Sequence, residues 1–295
     1  MIRCESEYKS GMPNLSLIGL SENWLLKECG HQHWLALAKL MGKDKPDFRS
    51  RTGQPIYAAF VAVEVNNARL HLITENDSFR IVTNLVSVGR SRFFSQHRVI
   101  GKLGLLCSLG MISTLVTRNE VGNNQSVTRA SLAGLSSLKD SDALTAGTEL
   151  IRSAKSFKEN RVDTWQGLKR LGDTTIPDYI FEPCPYSDFN GADFFYFANF
   201  QQVLDRAEWS VQKPLHRLWH TAHRQLNYYA NINIGDQLRL VWVDSHQDKQ
   251  SLQHWIQIYR VSDNRRIADV VTLKKRIDSG LYRWANITQQ LAAIV

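Results

Sequence analysis

Cysteine is scarce and unpatterned in this chain. Cys4, Cys29, Cys107 and Cys184 lie far apart, with neither CxxC spacing nor a disulfide framework. That spacing argues against a stapled secreted fold and against a cysteine zinc site, and the four read as reduced thiols of a cytoplasmic protein. The N-terminal Met1-Ile-Arg-Cys-Glu-Ser-Glu7 lacks a continuous apolar core, so no secretory signal is expected. A long hydrophobic run is missing too. The most apolar stretch, Leu103 to Val116, is too short to span a bilayer and contains Gly104, Ser108 and Gly110. It reads as a buried strand pair. No basic block exceeds Lys274-Lys275-Arg276, and no nucleic-acid motif accompanies the charge.

What remains is an ordinary globular composition, 43% apolar and 22% charged, over 295 residues. That length accommodates two domains, each with its own core. The net charge of +8 is diffuse. It suits steering of the phosphates of coenzyme A or of an acidic acyl carrier protein, and equally an ordinary basic surface.

The most informative segment runs from Cys184 to Trp209. A turn-prone stretch, Ser187 to Gly191, precedes an aromatic run in which Phe197, Phe200, Val203, Leu204 and Ala207 recur at helical intervals. Asp188 or Asn190 is placed to cap that helix, and Gly191 to let the backbone approach another group. Further on, Arg224 to Trp242 reads as strand, Gly235-Asp236 turn, strand. A polar turn, an apolar helix and a meander opened by Gly-Asp form the outline of a hotdog fold, a curled antiparallel sheet around a central helix.

The outline occurs twice. Met12 to Trp34 again gives a glycine, a polar cap at Ser21 and a helical run through Trp24, Leu25, Leu26, Trp34, Leu37 and Leu40. Strands are predicted at 56–65, 68–74, 79–88, 92–100 and 109–118. The Asn76-Asp77 turn takes the place that Gly235-Asp236 takes later. The predicted fold class is therefore α+β, a double hotdog within one chain. A first lobe is expected over 1–120, a second over 181–295, and a connecting segment over 121–180, with helical spacing from Thr148 to Arg170. Exposed edge strands should pair the two sheets into one surface.

The candidate chemistry gathers at the second-half turn. Tyr196-Phe-Ala-Asn-Phe200 resembles the helix-start signature of hotdog thioesterases of the 4-hydroxybenzoyl-CoA type, which carry an aspartate six residues before the opening aromatic. Here that position is Asn190. An amide is no nucleophile or base, but it donates hydrogen bonds, so Asn190 and the backbone at Gly191 are predicted to hold a thioester oxygen. A plain helix cap is the alternative role for Asn190. Asp188 and Asp193 are the remaining carboxylates, as substrate contacts or as groups that solvate the turn. A dehydratase would pair one of them with His31, His33 or His97. His216, His220 and His223 fall at helical intervals in 215–223, as a metal face or, more ordinarily, a solvated one.

Several motifs together resemble one family. Met12-Pro, Gly19-Leu-Ser-Glu-Asn-Trp-Leu-Leu26, His33-Trp34, Ile56-Tyr-Ala-Ala-Phe60, Gly89-Arg-Ser-Arg-Phe-Phe94 and Pro185-Tyr-Ser-Asp-Phe-Asn-Gly191 are similar, in order, to the LnmK-type acyltransferase/decarboxylases of leinamycin biosynthesis. The resemblance spans about Met12 to Arg276. It implies acyl-CoA and an acyl carrier protein as partners, in polyketide or related biosynthesis, with or without decarboxylation of methylmalonyl-CoA to propionyl. It implies Tyr57 as the acyl-accepting residue. A phenol ionises near pH 10, so its acyl ester is activated toward thiols. Arg90, Arg92 and His97 on a neighbouring strand are expected to assist the phenolate. No metal or organic cofactor is expected beyond the phosphopantetheine of the partner. A thioesterase, a dehydratase and a non-catalytic carrier-protein binder are the alternatives, and a homodimer stays open.

Overall fold

The computed structural model describes residues 1–89, 91–130, 141–172, 174–211 and 219–277. The first half runs β1 (Ile2–Lys9), a small hairpin of β2 (Leu15–Ser16) and β3 (Gly19–Leu20), α1 (Glu22–Leu40), β4 (Tyr57–Asn66), β5 (Ser78–Ser87), β6 (Arg92–Gly101), β7 (Gly104–Arg118) and β8 (Val127–Arg129). Helix α2 (Ser141–Lys158) and a hairpin of β9 (Thr164–Trp165) and β10 (Leu168–Lys169) follow. The second half has β11 (Tyr179–Phe181), the single turn α3 (Pro185–Asp188), α4 (Asn199–Val211), β12 (Trp219–Tyr228), β13 (Leu238–Gln247), β14 (Ser251–Arg260) and β15 (Arg265–Arg276).

Ten strands lie in the order β1-β5-β6-β7-β4-β12-β15-β14-β13-β11, with β8 paired to β7 as an eleventh. The order reads alike from either edge toward the middle: β1 corresponds to β11, β5 to β13, β6 to β14, β7 to β15 and β4 to β12. At the seam, β4 and β12 pair antiparallel from Arg224 opposite Val65 to Asn227 opposite Ala62. The predicted continuous surface is there, and each half shields the other's edge. The matching turns are alike in detail. Asn76 and Gly235 both have positive φ, and the aspartate after each accepts from a backbone N–H three residues earlier, Asp77 from Thr74 and Asp236 from Asn233.

Helix α1 starts as its sequence dictates, with the Ser21 Oγ accepting from Trp24 N–H at 3.2 Å and Glu22 complementing the dipole. It ends ahead of Gly42, whose φ of +65° stops the helix. Leu25, Leu26 and Cys29 of α1 share one core with Val203, Leu204 and Ala207 of α4 and with inward residues such as Val63, Met111, Leu226 and Val270. Strand alternation sends Ala62, Phe94 and Ile112 to the opposite face, where Leu150 and Ala154 of α2 cover them. Phe157 of α2 meets Trp255 and Val271 of the second half, so α2 crosses the back of the seam.

Three expectations need correction. Residues 70–72 form a 3₁₀ turn rather than part of a strand, because it seats against Gly19, where a Cβ would stand 2.4 Å from the Leu70 carbonyl oxygen. After a tight turn at Lys102–Leu103, the rest of the apolar stretch, 104–116, belongs to one long strand, β7, rather than to a strand pair. Helical structure stops at Lys158; Trp165 and Leu168 sit on the β9–β10 hairpin, where Leu168 joins the Phe157 cluster. The strand, turn and strand read over 224–242 are present as β12, the Gly235-Asp236 turn and β13. Strand β12 has β4 on one side and β15 on the other, and the Gly235-Asp236 turn opens the β13–β14–β15 meander as expected.

Candidate active site

The loop from Phe189 to Ala198 is built by Asn190. Its Oδ1 accepts from Ala192 N–H at 3.0 Å and Phe194 N–H at 3.1 Å, and its own N–H donates to the Phe194 carbonyl at 2.8 Å. The Nδ2 makes no hydrogen bond among the described residues. Helix α4 begins only at Asn199, so Asn190 is a turn-builder rather than the cap of that helix, and helix-dipole help for a bound oxygen does not apply there. Gly191 has no left-handed backbone, and a Cβ on it would enter open space. That space belongs to a cavity.

The cavity, about 490 Å³, lies between the halves. The Asn190–Phe197 loop supplies one wall, Gly30, His31 and Trp34 of α1 another, and Tyr57 and Phe60 of β4 a third. The Tyr57 ring meets Phe194 edge-on at 5.6 Å. Arg118 fixes the loop from behind: its guanidinium donates to the Ala192 carbonyl and lies 4.5 Å from the Phe194 ring centre. Asp47 and Arg49, which pair at 3.1 Å, stand at the exposed margin.

Four candidate site residues singled out in the sequence thus converge here: His31, Tyr57, Asn190 and Gly191. The others do not. Asp188 is buried and accepts from the Cys184 N–H at 2.8 Å, locking the α3 turn. Asp193 sits at a positive-φ turn position, outside the cavity lining. Arg92 heads β6 opposite Thr114, also outside it. His97 is sealed in the first half, its Nδ1 2.8 Å from Thr83 Oγ1 and its Nε2 2.8 Å from Ser95 Oγ. Burial and the neighbouring His33 hold it well below the usual histidine range, so it stays neutral and is no cation for a phenolate. Arg90 lies outside the described residues, as does His216. His220 and His223 lie on strand β12, not on a helix. Among the described residues no group of three side chains is arranged to hold a metal ion. Of the histidines weighed for a dehydratase, His31 alone lines the cavity, without Asp188 or Asp193.

Reading the sequence missed Gly30 and Arg118. Gly30 carried a signal, a glycine inside a helical run, which marks a close approach. Arg118 carried none, since its partner loop lies some seventy residues away.

Each half also buries a polar network. In the first, His33 bridges Ser95 Oγ at 2.6 Å and Ser113 Oγ at 2.7 Å, and burial drives His33 down to about 3. In the second, the Glu208 carboxylate accepts from Lys274 and, at 2.8 Å, from His254 Nε2, while Arg224 reaches Glu22 and Asp205, each at 3.0 Å. Burial alone would raise Glu208, yet Lys274, His254 and Arg224 together hold it well below the carboxylate range.

No family model matches the sequence, and no curated protein matches it. Solved structures do. The acyl-ACP thioesterase of Bacteroides thetaiotaomicron superposes with a TM-score of 0.62 at 11% identity, covering 92% of this chain and 97% of its own. The 12:0-ACP thioesterase of Umbellularia californica gives 0.63 at 12%, over 94% and 98%. A putative oleoyl thioesterase of Lactobacillus plantarum gives 0.63 at 9%, over 94% and 96%. At such identity the likeness speaks for the fold. With the repeated topology, it establishes a double-hotdog protein.

Proposed function

We propose that this protein processes acyl thioesters in the cavity between its halves, as an acyltransferase that carries the acyl group on Tyr57. The observation that carries this reading is the convergence of Tyr57, the uncommitted Asn190 Nδ2 and the open backbone at Gly191 on one cavity. The named activities of the structural neighbours, on acyl-ACP, support the substrate class.

In the first step the Tyr57 oxygen attacks the thioester carbonyl. The C–S bond breaks as the aryl ester forms, and the thiol leaves with the phenolic proton. In the second, the thiol of an acyl carrier protein attacks that ester and returns the proton to Tyr57. Asn190 Nδ2–H donates to the carbonyl oxygen as it gains charge. The same donor serves decarboxylation of a malonyl-type thioester: the C–C electron pair moves into the carbonyl as an enolate, carbon dioxide leaves, and solvent protonates the carbon. Arg49 at the margin suits a carboxylate or phosphate of the incoming ligand.

Hydrolysis is the second reading. His31 and Asp47 line the same cavity and supply a base for water. Single-turnover reaction with methylmalonyl-CoA, with and without a holo carrier protein, separates the two. Acylated carrier protein supports transfer, free acid supports hydrolysis, and unchanged thioester overturns both.

A further inference from the structure

The internal repeat makes a second cavity, and its walls are unlike the first. The loop ahead of α1 and one face of α4 enclose about 460 Å³. Gln201, Gln202 and Asp205 line it at the spacing at which Gly30, His31 and Trp34 line the cavity already described. The strand contributions also correspond, Trp219 to Thr221 at the start of β12 for Ile56 to Ala58 at the start of β4.

Two buried polar atoms on this wall have no hydrogen-bond partner among the described residues: the Gln201 Oε1, on a residue 3% exposed, and the Trp219 Nε1, on one 7% exposed. One accepts and the other donates. Buried polar groups left unpaired are costly, so a native structure that keeps two in one cavity is built for a ligand bearing both senses of hydrogen bond. A secondary amide is the simplest such group. On the same wall, Asp205 keeps 45% of its side chain exposed although it pairs with Arg224 and Lys274. An adjoining cavity of about 610 Å³ shares His71 and His220, whose tilted rings stand 4.0 Å apart, as lining. Arg69, Lys275 and Arg276 line it. That collar is cationic, as a phosphate requires.

We infer that this second cavity holds the phosphopantetheine arm of a thioester or thiol, amides between Trp219 and Gln201 and phosphate at the Lys275 collar. The inference rests on the reading that the ligands are phosphopantetheine thioesters, but not on any chemistry at Tyr57. The arm has two sources, coenzyme A and a carrier protein.

The test is calorimetric titration with coenzyme A, with pantetheine lacking the phosphate, and with apo and holo carrier protein. The Gly191→Trp chain fills the first cavity, where the added side chain has room. Wild type should bind two equivalents and Gly191→Trp one. In that background Trp219→Phe and Lys275→Glu should each weaken binding about tenfold or more, equivalent to about 1.4 kcal/mol. Pantetheine should ignore Lys275→Glu. The same sensitivities toward holo but not apo carrier protein, with coenzyme A silent, would assign the arm to the carrier protein. Loss of all binding in Gly191→Trp, or indifference to both further substitutions, overturns the second site. One equivalent in wild type and Gly191→Trp alike, still sensitive to Lys275→Glu, removes the first cavity from the account and leaves the second standing.

Discussion

Gly30 on α1 lies against the ring of Phe197: a Cβ at Gly30 would stand 2.8 Å from two of its carbons. The contact sets how closely the loop ahead of α4 approaches α1, and therefore the depth of the cavity they line. Gly30→Ala gains about 0.5–1 kcal/mol of helix preference. Forcing a methyl into a packed contact costs about 1–3 kcal/mol, and the ring is held by Phe60 at 4.2 Å, so overpacking wins. Urea unfolding should show net destabilisation, together with weaker acyl-thioester binding. A more stable variant with unchanged affinity would remove this contact as the determinant of the cavity.

The buried histidines make stability depend on pH. His33 and His97 are lowered by burial, His33 to about 3, whereas unfolded histidine titrates near 6.5. The unfolded chain therefore binds more protons below pH 6.5. Their contribution is complete above that pH and is lost as pH falls toward the folded values. Each histidine adds a slope of about 1.4 kcal/mol per pH unit in that window. Denaturant midpoints should fall from pH 6.5 to 4.5, and His33→Gln should flatten the slope by about one proton. An unchanged slope would mean that His33 titrates normally.

Glu208 is the hub of the second half. Glu208→Gln takes the carboxylate from His254 and leaves Lys274 with Asp205 and Arg224 with Asp205 and Glu22. Breaking a buried pair from one side costs about 3–5 kcal/mol. Thermal unfolding should show that loss, with little dependence on salt. A loss below about 1 kcal/mol, as for exposed pairs, would mean that the network is solvated.

Much of this was legible along the chain. The repeat could be read from the Asn76-Asp77 and Gly235-Asp236 turns, because a positive-φ residue followed by a capping aspartate is a local device. Ser21 marked the start of α1 for the same reason. Misreadings arose where distant contacts decide. The 70–72 segment has strand composition but packs on Gly19, some fifty residues earlier. The convergence of Tyr57 with Asn190 and Gly191 was proposed from resemblance and from the turn. The assistance expected of Arg92 and His97 failed because β7 lies between β6 and β4, the strand of Tyr57. His97 points inward, to Ser95 and Thr83.

Asn190→Asp separates loop-building from chemistry. The aspartate keeps an oxygen for the Ala192 and Phe194 N–H groups, so melting should hardly change. It replaces the Nδ2 donor by an anion where negative charge develops. Losing one such donor costs roughly 2.7–4 kcal/mol, so transfer should fall about a hundredfold or more. Single-turnover release of coenzyme A, wild type beside mutant, is the measurement. Equal rates would confine Asn190 to the turn.

Intact-mass analysis after exposure to acyl-CoA, wild type beside Tyr57→Phe, tests the central claim most directly. The substitution removes one oxygen and keeps the ring that packs against Phe194. Wild type should gain the mass of one acyl group, lose it when a holo carrier protein is added, and yield the adduct on the peptide containing Tyr57. Tyr57→Phe should stay folded and gain nothing. Wild-type rates of transfer in Tyr57→Phe, or an adduct on another residue, would contradict the account.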